Sequence, residues 1–469
     1  MTSELPSSLD TINHDNDEAD ASLGDESREI PKADTEAANY DPWATRSSTQ
    51  RNSDTAVFMH LLKASIGSGI LFLPHAFRKA GYATALICAF ITGLISCHTA
   101  VITVQCTQNL CTRSRKSSLS FAETARVSFE HGPNCIRKYS TAFGVFVNVL
   151  VCFVQYQTSV VYTLYIATSS QQIIEYFTGI NLDLRLYIAL IFPILCALAM
   201  IPNFKYLVPV SVIGTVLMSL GIIGSLMYFI KDFPDVRRLE PFTDSKEIPM
   251  FSSIFLFAIY NMSIILPLEN TMKNPRRMVN ILTTSMIINI FIYAVFGFLG
   301  YNKYENSCDT VIKNLPVEER GAQIVKIMVT LSVVCTYGLQ YYVPVTILWP
   351  IIARKIGRNH RSHEIIFRLL GVTLSSLLAV AVPQMTPLLG LFTALSITTV
   401  MLLIPVAIEA STMWNYTDNR KSFCCLLIKD IIIFIVWLLM LVFGVSQNLE
   451  EIIQTYGVDD ENLFFCWDV

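Results

Sequence analysis

Apolar stretches of roughly 20 residues recur from Val57 to Val445, separated by short polar segments that carry most of the charge. A helix of that length crosses the hydrocarbon core of a bilayer. Eleven such stretches are counted, at about 56–79, 82–106, 139–168, 187–203, 207–230, 251–270, 281–301, 322–352, 365–385, 387–409 and 427–447. The fourth is short, and only Pro383 and Pro387 separate the ninth from the tenth, so ten or twelve spans fit the same pattern. The expected fold class is an all-α polytopic membrane protein.

One span departs from simple apolar periodicity. Between Phe58 and Tyr82 the chain carries Gly67-Ser68-Gly69 at the middle of the first stretch. The two glycines fall about 200° apart on a helix, so a single small-residue contact with one neighbour explains them poorly. Pro74, about a turn and a half on, weakens the helix further. An opened backbone costs several kcal/mol per unpaired group in lipid and survives only inside protein or beside a cavity. Secondary transporters build substrate sites from such breaks, with freed helix N-termini facing an anionic group. Amides from Ile66 through Gly67, Ser68 and Gly69 to Ile70 are therefore expected to bind a carboxylate. The alternative is close helix packing alone.

Composition agrees with the span count. The 469-residue chain is 52% hydrophobic and only 15% charged, with a mean hydropathy of +0.48. A soluble domain carries about 25% charge. Residues 1–53 hold twelve Asp/Glu against four Lys/Arg and few apolar side chains, so a disordered acidic tail is expected there. Residues 54–449 form the transmembrane domain and 450–469 a short acidic tail. No polybasic run points to nucleic acid.

Lys and Arg concentrate in loops 107–138, 271–280 and 353–364, whereas loop 169–186 has only Arg185. The positive-inside rule then puts the N-terminus in the cytosol and the C-terminus outside or in a lumen. In that topology Cys308 and Cys466 are the two cysteines on the oxidising side, and a disulfide between them is left open. Cys424-Cys425, at the cytosolic mouth of the last span, suits reversible acylation. The twelve cysteines show no metal-ligand spacing, and no metal or cofactor is expected.

His60 and Lys63 sit one turn apart in the first span. Imidazole titrates nearest physiological pH, so His60, placed to face the core of the bundle from the cytosolic half, is the candidate proton carrier; the competing reading is an interfacial histidine. The nearby Lys63 cation would favour neutral imidazole. His75 and His98 are weaker candidates. In the sixth span, Tyr260, Asn261 and Ser263 interrupt an otherwise apolar helix closed by Pro267 and Glu269. Asn261 either stabilises a second break or bonds to a neighbouring helix. A second break would face the first.

The pattern M-H-L-L-K-x-x-I-G-x-G-I-L-x-L-P-x-A-x-x-x-A-G from Met59 to Gly81, with L-P-L-E-N-x-M-K from Leu266 to Lys273, resembles the proton-coupled amino acid transporter family of the amino acid/auxin permease superfamily. Tyr40-Asp41-Pro42 in the tail resembles insect members. The resemblance covers nearly all of residues 54–449. It implies about eleven helices in a LeuT-like inverted-repeat (5+5) fold with helices 1 and 6 broken. It also implies small neutral amino acids moving with protons, as coupling ion, across a plasma or lysosomal/vacuolar membrane. His60 matches the family histidine linked to proton coupling, Ile66 to Ile70 the carboxylate-binding break, and Tyr162 a tyrosine of the third span. The family usually has Phe-Glu-Gly-Ile-Gly in the sixth span, where this chain has Ile259-Tyr260-Asn261-Met262-Ser263. The acidic residue and both glycines are gone, and Tyr260 adds bulk.

Two functions follow as expectations: a secondary active transporter of small neutral amino acids, or an amino acid sensor with little flux whose tail recruits cytosolic signalling partners. No catalytic triad, paired carboxylate or His/Cys arrangement at a plausible depth suggests an enzyme. The span count excludes a seven-helix receptor.

Overall fold

The computed structural model describes residues 41–43, 51–180, 182–202, 204–231, 233–244, 246–356, 361–414 and 420–457. Among these, ten helical stretches are long and apolar enough to cross a membrane, and Leu184–Ala199 is a shorter apolar helix. These account for the eleven expected spans. The short fourth span is the Leu184–Ala199 helix, which spans fewer residues because Met200 leaves the helix shortly before Pro202.

The first span is two helices, α1 (Asp54–Ser65) and α2 (Leu73–Ala80), joined by a 3-10 turn over Ser68–Phe72. Gly81 turns the chain with φ +77, a value that glycine adopts without strain, and sends it into α3 (Tyr82–Ser114). The segment expected to be a loop at 107–138 is mostly helical. Helix α3 runs on to Ser114, and α4 (Phe121–Glu130) opens with a capping box between Ser120 and Glu123. The Ser120 amide, aided by the Ser120 hydroxyl, holds the Glu123 carboxyl below its ordinary range against a smaller opposing effect of burial.

The third to fifth spans are α5 (Ser140–Thr178), α6 (Leu184–Ala199) and α7 (Phe204–Ile230). The sixth is again two helices, α8 (Glu247–Ile259) and α9 (Met262–Asn270). Then follow α10 (Met278–Lys303), α11 (Arg320–Ile356) and α12 (Arg361–Ala381). The tenth span joins α13 (Met385–Phe392) to α14 (Ile404–Met413) through π-helical turns at Thr393–Ile397 and Thr399–Leu403. Helix α15 (Arg420–Gly457) ends the described chain and carries the helix past residue 449 into the expected tail.

Packing sorts these helices into two groups. In the first span α1 packs with α9 and α10, and α2 with α3, α8 and α10, while α5 packs with α6, α11 and α12, and α7 lies along α11. Spans one, two, six and seven thus form a bundle, and three, four, eight and nine a frame. Seventy-two per cent of the apolar stretch is buried in both Glu247–Asn270 and Met385–Met413, against 17% for Phe423–Gln454. The sixth and tenth spans are therefore the interior of the protein and the eleventh is its rim.

Polar groups inside the spans are tied down. Arg368, almost fully buried on α12, donates to the carbonyls of Ala199 (2.8 Å) and Ile201 (3.4 Å) and pairs with Glu364 at 2.8 Å. It satisfies the carbonyls freed where α6 ends, which lipid cannot do. Two pieces of the expected disordered tail lie against the bundle. Trp43 sits under the Arg276 guanidinium at 4.9 Å, and Asn52 bridges the backbone of Thr271 and Lys273. The rest of residues 1–53 lies outside the described residues, as does Cys466; Cys308 is disulfide-bonded.

Replacing Arg368 with Met should lower the stability of the detergent-solubilised protein by about 3 kcal/mol, because Glu364 and two carbonyls lose their partner together. A thermal or denaturant unfolding curve unchanged from the parent would show that the ion makes no net contribution.

Candidate functional site at the paired helix breaks

The α-helical ladder of the first span ends when the Ile66 amide donates to the Leu62 carbonyl at 3.1 Å. Ile66 then leaves helical geometry (φ −71, ψ 84) and Gly67 is extended (φ −121, ψ −169). Among the described residues the Gly67 amide donates to no backbone acceptor, and the first N–H groups of the 3-10 turn have none within it. The freed Ser65 carbonyl accepts a hydrogen bond from the buried Tyr293 hydroxyl on α10. The break is thus satisfied on its carbonyl side and open on its amide side.

The two glycines do different work. A Cβ on Gly69 would lie 2.6 Å from the Ala258 Cα of α8, so this glycine lets the 3-10 turn touch the sixth span's backbone. A Cβ on Gly67 would meet only the Ser65 carbonyl at 3.8 Å. Gly69 packs the break against its counterpart, whereas Gly67 faces unfilled space.

The sixth span opens directly beside that contact. Tyr260 is extended (φ −60, ψ 117) and Asn261 sits at φ −139, ψ 4, after which the Ile264 amide bonds back to the Asn261 carbonyl at 2.9 Å. The second break forms without the family's glycines, since both conformations are open to ordinary residues. The Asn261 Oδ1 is buried without a hydrogen-bond partner, and the buried Tyr260 hydroxyl has the Ser263 hydroxyl within reach. The Asn261 Oδ1 therefore bonds no neighbouring helix among the described residues.

The frame helices complete the lining. The Tyr162 hydroxyl of α5, nearly buried, lies within hydrogen-bonding reach of Ser68 and of Thr336 and Gln340 on α11. Gln155 Nε2 reaches the Ser263 hydroxyl at 3.5 Å, and Gln157 accepts from Ser396 of the π-helical stretch at 2.8 Å. The Gln157 amide nitrogen is buried and unpartnered. Ser68, Tyr162, Tyr260, Asn261 and Ser263, all anticipated, are thus gathered around the two breaks, with Ile66, Gly67, Gly69 and Ile70 in the backbone between them. Gln155, Thr336, Gln340 and Tyr293 belong with them and were missed. A polar side chain within an apolar run was the available signal for the glutamines.

His60 is placed differently from the expectation that it faces the bundle core. Val57, Leu61 and Ser65 form the buried stripe of α1, and His60 lies about 100° around the helix from it, exposed, as is Lys63. The periodicity that buries one face of α1 turns His60 away from it. His75, in contrast, is buried on α2, with Nδ1 3.0 Å from the Ser307 carbonyl. Beside it Asp309 accepts from the Thr386 hydroxyl of α13 at 3.0 Å. Burial pushes the Asp309 carboxyl up, but Lys313 and His75 outweigh it and hold it below the usual range. Burial likewise holds Lys313 below the usual lysine range, against the pull of Asp309. This cluster ties α2, the second half of the first span, to the tenth span.

A family model described as "Transmembrane amino acid transporter protein" matches residues 50–449. The chain belongs to this family. It is 34% identical over 446 residues to the Drosophila melanogaster "Proton-coupled amino acid transporter-like protein pathetic", spanning 92% of this chain and 93% of that one. It is 22% identical to the Caenorhabditis elegans "Probable amino acid transporter skat-1", over 87% and 91% of the two chains. Among solved structures, inward-facing Mhp1 superposes with a TM-score of 0.56 at 11% identity, covering 88% of this chain and 93% of that one. The LeuT-like inverted-repeat architecture is therefore that of this transporter, and its work is transport rather than catalysis. Its broken helices 1 and 6 are the ones that face each other through Gly69 and Ala258.

The glycine asymmetry predicts opposite outcomes. Gly69→Ala should abolish uptake or folding, because its Cβ strikes the α8 backbone, whereas Gly67→Ala should fold and reach the membrane normally. Comparing membrane content and uptake for the two variants checks this; a fully active Gly69→Ala would overturn the contact.

Proposed function

We propose that this transporter moves small neutral amino acids together with protons. The observation that carries the reading is that the paired breaks are lined, among the described residues, by uncharged groups only: Ser68, Tyr162, Tyr260, Asn261, Ser263, Gln155 and Gln340. A zwitterion brings both of its charges and needs no counter-ion from such a site. Its carboxylate suits the open amides from Ile66 to Ile70 at the N-terminal end of the 3-10 turn. Its ammonium suits the unpartnered Asn261 Oδ1 and the Tyr260 hydroxyl. Tyr260, where the family carries a smaller acidic side chain, restricts the room left for a substrate side chain.

Proton coupling is supported by the printed name of the Drosophila relative, and His60 is the residue we assign to it. An exposed imidazole on α1 is free to exchange protons when the bundle rocks against the frame. The Lys/Arg bias supports a cytosolic N-terminus, and the resemblance supports a plasma or lysosomal/vacuolar membrane. The second reading, a sensor with little flux, draws on the changed sixth span and on the tail residues Trp43 and Asn52 docked beside α9. Through that docking the tail would report occupancy to cytosolic partners.

The experiment is tracer uptake and current for a panel of amino acids at acidic and neutral external pH, with surface content measured alongside. Uptake of small neutral amino acids should rise at acidic pH, and His60→Ala should remove that rise. An unchanged pH dependence in the variant would take His60 out of the mechanism. Binding without flux in liposomes would establish the sensor instead.

A further inference from the structure

Outside the substrate site, the densest set of ionisable groups inside the spans is where α14 meets α15. Glu409 of α14 and Asp430 of α15 are 8% and 3% exposed. Lys429 Nζ lies 2.5 Å from Glu409 Oε2 and 3.3 Å from Asp430 Oδ1. The Asp430 carboxyl lies within hydrogen-bonding reach of both the Lys429 ammonium and the Glu409 carboxyl. Two carboxyl groups bond to each other only when one of them carries the proton, since a carboxylate is an acceptor alone.

Charge points the same way. Two carboxylates and one ammonium leave an uncompensated negative charge inside a transmembrane segment, and one added proton brings the cluster to neutrality. The ammonium between the two acids disfavours a metal cation as the missing charge, and among the described residues no group of His, Cys, Asp and Glu is built to hold one. The neighbouring elements do not supply the charge either. Helix α3 presents the exposed His98 and the Cys106 thiol to this cluster, and its Arg113 is engaged with the Thr412 carbonyl at 3.2 Å, one turn further along α14 than Glu409. On α4, Arg126 is engaged with Glu130 at 3.4 Å. The π-helical turns between α13 and α14 contain no titratable side chain, their Thr399 hydroxyl accepting from Trp437 of α15 at 3.1 Å.

We propose that the Glu409–Asp430 carboxyl pair is a proton-binding site of this transporter, with Lys429 as the group that positions it. The proposal rests on the transport reading above and adds a second protonation site to His60. In the protonated state one O–H donates across the pair and the cluster is neutral. Loss of that proton to water leaves two carboxylates that repel and share one ammonium, which loosens α14 from α15. Helix α14 continues through the π-helical turns to Ser396, which bonds Gln157 beside the substrate breaks, so the two regions share one continuous element. Single-turn π segments concentrate at such functional positions.

The test uses the full chain in liposomes of fixed lipid composition. Asp430→Asn and Glu409→Gln each mimic the protonated pair, and both should flatten the dependence of small neutral amino acid uptake on pH while leaving His60→Ala additive to them. Lys429→Gln removes a cation that favours the ionised form, so the midpoint of the pH profile should move to higher pH. Infrared difference spectra between acidic and neutral pH should show a buried carboxylic acid band that either carboxyl variant loses. Parent-like pH profiles in both variants at normal membrane content, or a spectrum without that band, would overturn the proposal. A parent protein that carries no amino acid but still shows the band would refute the transport reading alone.

Discussion

Every polar backbone group in this protein that lies at membrane depth has to be bonded within the chain, because hydrocarbon offers no partner. That constraint decides where the helices open. The two openings, at Ile66–Gly67 and at Tyr260–Asn261, lie against each other in the most buried part of the bundle, with the Ala258 backbone touching Gly69. Tyr293 supplies the first opening with the donor its carbonyl needs. What is left unsatisfied is an array of amides and a few side-chain oxygens on one side, and this imbalance is what a zwitterion can correct.

The rest of the architecture keeps that imbalance away from lipid. Frame helices α5 and α11 bring Tyr162, Gln155, Thr336 and Gln340 to the openings, and none of these carries a charge that would compete with the substrate. Buried ionisable groups sit away from the break residues: His75 and Asp309 where α2 meets α13, Glu409, Lys429 and Asp430 against the rim helix, and Arg368 at the end of α6. Each such group answers a local demand. Arg368 meets carbonyls that the end of α6 leaves free, and Lys429 meets two acids that α14 and α15 bring together.

Much of the fold was legible along the chain. Span number, the two interrupted helices and the ends of most spans follow from apolar run length and from Gly67, Gly69 and the polar trio Tyr260, Asn261 and Ser263. The site was only partly legible. Gln155 and Gln340 lie far apart in sequence and are tens of residues from either break, so only the packing of α5 and α11 against the bundle reveals their role. His60 read as a residue facing the bundle core, yet the buried stripe of α1 runs through Val57, Leu61 and Ser65. The amphipathic α4 was hidden inside a basic loop, where charge masks a short helical period.

By itself the sequence determined the class of solution: a hydrophobic chain cut into bilayer-length helices, two of which cannot stay continuous. Those features are local, because run length and glycine placement act within a single segment. Tertiary structure decided which faces meet. It assigned Gly69 to packing and Gly67 to open space, turned His60 outward, and set Glu409 against Asp430 across two helices. Such pairings depend on the rotation and crossing of helices, and these are fixed by side-chain packing over the whole bundle rather than by any one stretch of residues.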